Sequence, residues 1–236
     1  MAASIGMIVP PANTVNEAEW KQMAPPGIAF PLARMPLHSG DDPHALYADL
    51  KIALEELRAA KPGVIAYACT AGSMVLPLDT IPAFIEKNAG VPGIATAPAL
   101  VHACRALGLT RVAVATPYHD ALNRHEKEFL EACGIAVVSL RGLGIGAGGP
   151  HEYIEIARVP KQDVYEHCRA SDVPEAQGMI VSCTDFASLE AIPRLEAELG
   201  KPVISSNTAT FWMALRAAGL PARVSGFGAL LSGLRA

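Results

Sequence analysis

The chain carries one pattern twice, and this duplication limits the folds open to it. GVIAYACTAGS resembles GMIVSCTDFAS, which puts Cys69 and Cys183 in matching places 114 residues apart. VPGIATAPALVHACRALGL resembles KPVISSNTATFWMALRAAGL, with Pro92 against Pro202 at an offset of 110. The openings IGMIVPPANT and RVAVATPYHD set Pro11 against Pro117 at 106. Three matches in one order, at nearly one offset, describe two similar halves.

Within each half, short apolar runs bounded by Gly or Pro alternate with longer segments of helical period, the pattern of β-α-β units around parallel sheets. Strands are predicted at Ile5–Val9, Val64–Ala68, Gly93–Ala95, Arg111–Ala115, Ala136–Leu140, Met179–Ser182 and Val203–Ser205, with an eighth at Ile28–Met35 weakened by Pro31. From Pro43 to Ala60, Leu46, Leu50, Leu54 and Leu57 form one helix face, with Asp41 or Asp42 as its cap. Further helices are predicted at Ala97–Leu107, Tyr118–Cys133, Lys161–Ala170, Phe186–Leu199 and Thr208–Ala218. The expected fold is α/β: two Rossmann-like lobes with parallel sheets, related by a pseudo-twofold axis. The first covers 1–109 and is completed by the C-terminal segment 207–236; the second covers 110–206.

In open parallel sheets a ligand binds beyond the carboxyl ends of the strands. Cys69 and Cys183 both end strands, so an approximate twofold axis brings them to one interlobe cleft. A thiol between strand and helix meets unpaired N–H groups and a positive dipole end, so a lowered pKa is expected for both. Thr70, Ser73 and Thr184 supply hydroxyl donors for a carboxylate or enolate. Asn13 and Tyr118 follow the first strand of each half and face the same cleft, each also having a bland reading as a turn or helix-start residue. Asp185, two residues after Cys183, can act on the thiol or cap the helix near Phe186, with capping favoured, and His119, the one histidine near the cleft, reads as a solvated helix residue. Cys104, Cys133 and Cys168 lie in helical patterns without partners and read as core. GLGIGAGG, followed by Pro150, reads as a flexible loop or lid.

Other function classes are excluded or disfavoured. The net charge is −4 with dispersed Lys and Arg, which excludes a broad surface for nucleic acid. No apolar run approaches the roughly 20 residues of a membrane span, and the start lacks a secretory pattern, so a soluble cytoplasmic protein is expected. Five cysteines without framework spacing fit a reducing compartment. No metal-ligand spacing or phosphate loop is present, so no metal or cofactor is expected.

The ACT around Cys69 and the SCTD around Cys183, together with GMIVPPANT, ATPYHDALN and GKPVISSNTATFWMALRAAG, resemble the Asp/Glu racemase superfamily over nearly the whole chain. The particular resemblance is to the branch containing maleate cis-trans isomerase and arylmalonate decarboxylase. It implies two cysteines working as acid and base without cofactor, on a small dicarboxylate or an amino acid, in a homodimer or higher homo-oligomer. Arylmalonate decarboxylase carries glycine where this chain has Cys69, so the pair points to an isomerase or racemase. Maleate isomerase is similar in both cysteines, in an Asn matching Asn13 and in a Tyr matching Tyr118. Its second Asn, in the loop beyond the Tyr, is absent here, where GAGGPHEYIEIARV offers His151, Glu152 and Tyr153. The resemblance therefore implies maleate to fumarate isomerisation. Racemisation by the same pair, an arylmalonate-decarboxylase-like reaction, and a non-enzymatic small-acid binding protein stand as alternatives.

Overall fold

A computed structural model describes residues 3–38 and 42–233. The first sheet contains β1 (Ala3–Val9), β2 (Ile28–Ala29), β3 (Leu32–Arg34), β4 (Val64–Tyr67) and β5 (Gly93–Ala95), in the order β2-β1-β4-β5 with β3 also on β1. The second contains β6 (Arg111–Tyr118), β7 (Ala136–Ile145), β8 (Gly178–Val181) and β9 (Val203–Ser205), in the order β7-β6-β8-β9. Every pairing is parallel. The two orders correspond strand for strand, so the duplication read in the sequence is also one of topology. The eighth predicted strand is split at Pro31, into two short pieces that follow one another along β1.

The helices are α1 (Val15–Met23), α2 (Pro43–Arg58), α3 (Thr70–Ser73), α4 (Thr80–Ala89), α5 (Thr96–Ala106), α6 (Asp120–Ala132), α7 (Lys161–Ser171), α8 (Ala191–Leu199), α9 (Ser206–Ala217) and α10 (Ala229–Ser232), with a 3-10 helix over Pro150–Arg158. In α2 the predicted leucine face is wholly buried, and Asp42 caps it by accepting from Ala45 N–H at 3.0 Å. Asp41 lies outside the described residues. One core cluster covers a face of the first sheet with α2 and α4, while a larger one joins both sheets through α5 and α9. Helix α9 touches α1, α5, β4, β5 and β9, so it links the two sheets behind the strand ends that carry the cysteines.

Three predicted elements differ in extent. Tyr118 ends β6 and the helix after it starts at Asp120. Half of GLGIGAGG belongs to β7, and the rest is a turn whose Gly146 and Gly148 N–H groups donate to Glu152 at 2.9 and 3.1 Å, so the stretch is anchored and not a free lid. The helix predicted from Phe186 begins at Ala191. The N–H groups of Ser188 and Leu189 donate instead to the Glu19 carboxylate of α1, both at 2.9 Å, so an acid from another element fixes this segment without a helix.

Candidate active site

Cys69 and Cys183 line one cavity of about 870 Å³ between the two sheets, together with Asn13, Thr70, Tyr118 and Thr184. Cys69 follows β4 and Cys183 follows β8, at equivalent ends of equivalent strands. The cysteines are 3% and 8% exposed, so each thiol reaches solvent only through this cavity.

The loops that carry them are tied across the cleft. Thr70 Oγ1 donates to Ser206 Oγ at 2.8 Å, and the same oxygen accepts from Cys183 N–H at 3.1 Å. Asn13 Nδ2 donates to Thr184 Oγ1 at 2.9 Å, and Thr184 in turn donates to the Ala68 carbonyl at 3.1 Å. Arg34, on β3, donates to the carbonyls of Pro10, Pro11 and Asn13, which fixes the turn presenting Asn13. The hydroxyl hydrogens of Thr70 and Thr184 are thus engaged within the protein. Ser73 is not part of the cavity: its hydroxyl donates to Thr70 C=O and accepts from Ala97 N–H, both at 2.9 Å, which anchors α3 to α5. Ser73 stands three positions beyond Thr70 at the end of this single helical turn, where its hydroxyl is taken up by the Thr70 carbonyl and the α5 backbone.

Burial reverses the expected thiol chemistry. Desolvation pushes Cys69 up to about 11, against the opposing donors Gly72 N–H at 3.3 Å and the Tyr67 phenol. Cys183 is pushed up to about 12 by desolvation, against the Tyr118 phenol and Asp185 N–H at 3.4 Å; the charges of Asp185 and Cys69 add to the rise. The helix after Cys69 has four residues and Cys183 is followed by a turn, so neither thiol faces a long helix dipole. Each thiol nevertheless has one phenol and one backbone N–H ready to stabilise a thiolate. Cys183 has φ +92°, a region that L-residues rarely occupy, and such strain concentrates at functional positions. Gly72 is required by contact: a Cβ there would lie 2.2 Å from the Tyr67 hydroxyl and 3.1 Å from Cys69 Sγ.

Asp185 does not cap a helix near Phe186. Its Oδ1 accepts from Thr14 and Val15 N–H at 2.8 and 3.0 Å and so caps α1, an element 170 residues away in the chain. His119, expected near the cleft, lines the cavity at the start of α6, and His38 and His125 line it as well. Sequence reasoning missed Tyr67, Ser206 and Glu126, whereas Tyr153, one of the three residues offered in place of the second Asn, lines the cavity. Ser206 stands in the repeated SSNT stretch, where the match to Thr96 at the start of α5 could have signalled it. Glu126, 1% exposed beneath the site on α6, gave no signal, because only packing buries it. Its carboxylate oxygens lack a hydrogen-bond partner and Ser182 beside it is too poorly placed for a full one; desolvation raises Glu126 to about 7. Among the described residues no group of three His, Cys, Asp or Glu side chains is placed to hold a metal ion, and no helix is long and apolar enough to cross a membrane.

The family pattern for arylmalonate decarboxylase matches residues 5–231, nearly the whole chain. The chain belongs to the arylmalonate decarboxylase family. Within it, the chain is 30% identical to a maleate isomerase of Alcaligenes faecalis, covering 98% of this chain and 97% of that protein. It is 32% identical to an arylmalonate decarboxylase of Bordetella bronchiseptica, covering 96% and 95%. Its fold superimposes on that of the Nocardia farcinica maleate cis-trans isomerase with a TM-score of 0.87, at 28% identity and 98% coverage of both chains; that structure is a cysteine-to-serine variant with a covalently bound succinylcysteine intermediate.

Proposed function

We propose that the protein is a cis-trans isomerase that converts maleate, or a similar small cis-dicarboxylate, to the trans isomer by covalent cysteine addition. The observation that carries this reading is the presence of both Cys69 and Cys183 on one cavity, each with its own phenol and N–H donor. Once deprotonated, Cys69 adds to one alkene carbon, forming the S–C bond while the π electrons move into the adjacent carboxylate as an enediolate. Cys183 gives its proton to the neighbouring carbon, leaving a succinyl thioether whose central C–C bond is single and free to turn. The Cys183 thiolate then takes back a proton from that carbon, the double bond re-forms in the trans sense, and the Cys69 thiolate leaves. Protons and electrons balance without a redox partner, so the reading includes no cofactor.

The roles of Asn13, Thr70, Tyr118 and Thr184 belong to the same proposal. Tyr118 steadies Cys183 in its charged form. Asn13 retains one amide hydrogen beyond the bond to Thr184 and can offer it to a carboxylate. The reading places the enzyme in the cytoplasm, as a homodimer or larger homo-oligomer; light scattering on the purified protein tests the oligomeric state. Incubation with maleate followed by proton NMR should show the fumarate signal replacing that of maleate; folded protein that yields no fumarate overturns the reading. The similarity to the Bordetella enzyme and the apolar wall of Leu37, Val75, Leu122 and Ile156 favour one second reading, decarboxylation of a bulkier malonate, which proton NMR with an arylmalonate as substrate tests through the signal of the decarboxylated acid.

A further inference from the structure

A diacid held between the two thiols needs a grip at each end, and most polar groups near the sulfurs are already committed. Thr70 donates to Ser206, Thr184 donates to Ala68 C=O, and Tyr118 bonds Cys183. His38 is paired with Asp49 at 2.8 Å and His125 with Met74 C=O at 3.2 Å. On the wall contributed by the 3-10 helix, the cavity is lined by Pro150, Tyr153 and Ile156, of which only Tyr153 carries a side-chain donor.

That tyrosine is held by a built support. Gly146, at φ +96°, lies directly under its ring: a Cβ there would come within 2.5 Å of Tyr153 Cε1. The turn bearing Gly146 is in turn clamped by Glu152, the neighbour of Tyr153, through the N–H groups of Gly146 and Gly148. The backbone of this turn and the ring therefore fix each other. We infer that the Tyr153 hydroxyl is the donor that grips the second carboxylate of the substrate, and that the Gly146 to Glu152 turn exists to aim it. Tyr153 lines the same cavity as both sulfurs, and desolvation, followed by the charges of Cys69 and Cys183, raises its phenol above the ordinary range, so it stays protonated as a donor. The inference takes from the proposed function only that the ligand is a dicarboxylate.

The test compares Tyr153→Phe with the unaltered protein, reading protection of Cys69 and Cys183 from iodoacetamide by mass spectrometry. Succinate supplies two carboxylates and butyrate supplies one on the same carbon count. The variant should need roughly ten- to a hundredfold more succinate for half-protection, the loss of one hydrogen bond to a charged group, while the butyrate value stays put. Gly146→Ala, which displaces the ring and leaves the hydroxyl in the chain, should show the same selective loss. With maleate as substrate, Tyr153→Phe should raise KM with little change in kcat. Unchanged succinate protection in Tyr153→Phe, or equal weakening of succinate and butyrate, overturns the assignment. Selective loss of succinate protection in a protein that never turns over maleate removes the isomerase and leaves the grip standing.

Discussion

Thr70 Oγ1 and Ser206 Oγ lie 2.8 Å apart, and through that contact the residue after one thiol is joined to the backbone N–H of the other. Cys69 and Cys183 are thereby set by one short chain of hydrogen bonds as well as by the sheets beneath them. A shift of either loop is felt at both sulfurs, and the proposed mechanism needs that coupling, because one thiol adds to a carbon while the other serves the carbon beside it.

Both thiols should be indispensable. Cys69→Ala and Cys183→Ala are each expected to lower turnover of maleate by roughly a thousandfold or more while circular dichroism stays native, because in the proposed mechanism one is the nucleophile and the other the proton carrier. Near-native rates in either variant would rule out the two-thiol mechanism.

The strain at Cys183 is separable from its chemistry. At φ +92° a Cβ is unfavourable and glycine is not, so Cys183→Gly should be more stable than Cys183→Ala by about 1 kcal/mol, although both lack the thiol. Thermal or urea unfolding of the two variants provides the comparison; an alanine variant as stable as the glycine one would show that the backbone is relaxed there.

Alkylation of the ligand-free protein should report buried, protonated thiols. With Cys69 pushed up to about 11 and Cys183 to about 12, the thiolate fraction at either residue rises about tenfold for each pH unit between 7 and 9. Iodoacetamide labelling rates, followed residue by residue, should climb across that range without levelling. A plateau below pH 8 would mean that the N–H and phenol donors outweigh desolvation.

Glu126 should make stability depend on pH. Its carboxyl is raised from 4.5 to about 7 in the folded protein, so the folded chain keeps a proton that the unfolded chain has released between these values. That contribution is complete below about pH 4.5 and is lost as the pH rises through 7, a change of about 3 kcal/mol. Glu126→Gln should therefore gain stability relative to the parent between pH 5 and 8, measured by urea denaturation at each pH; a difference that does not vary with pH would place the carboxylate in contact with water.

Glu19 should matter for the same loop that presents Cys183. Its carboxylate accepts from Ser188 N–H, Leu189 N–H and Asn207 Nδ2, the last at 2.7 Å, and all are buried. Glu19→Ala orphans these donors and should cost about 3 kcal/mol or more, with turnover falling as the loop loosens. An alanine variant of parental stability would show that water replaces the carboxylate.

Much of this protein was legible in its local patterns. Leu46, Leu50, Leu54 and Leu57 recur at helical spacing, Pro31 interrupts a strand, and the repeat around Cys69 and Cys183 brings two strand ends into correspondence; period and duplication are properties of neighbouring residues, so a linear reading recovers them. What the linear reading could not recover are the pairings between distant positions. Asp185 looks like the cap of its own next helix and instead caps α1, Glu19 supplies the acceptor that keeps 186–190 from coiling, and Ser73 turns to α5 rather than to the cleft. The thiol pKa was misjudged for the same reason: proximity to N–H groups can be read from a strand end, whereas desolvation depends on what the rest of the chain packs around the sulfur. Short-range order is written in spacing, but burial and the choice of hydrogen-bond partner are decided only when the whole chain has closed on itself.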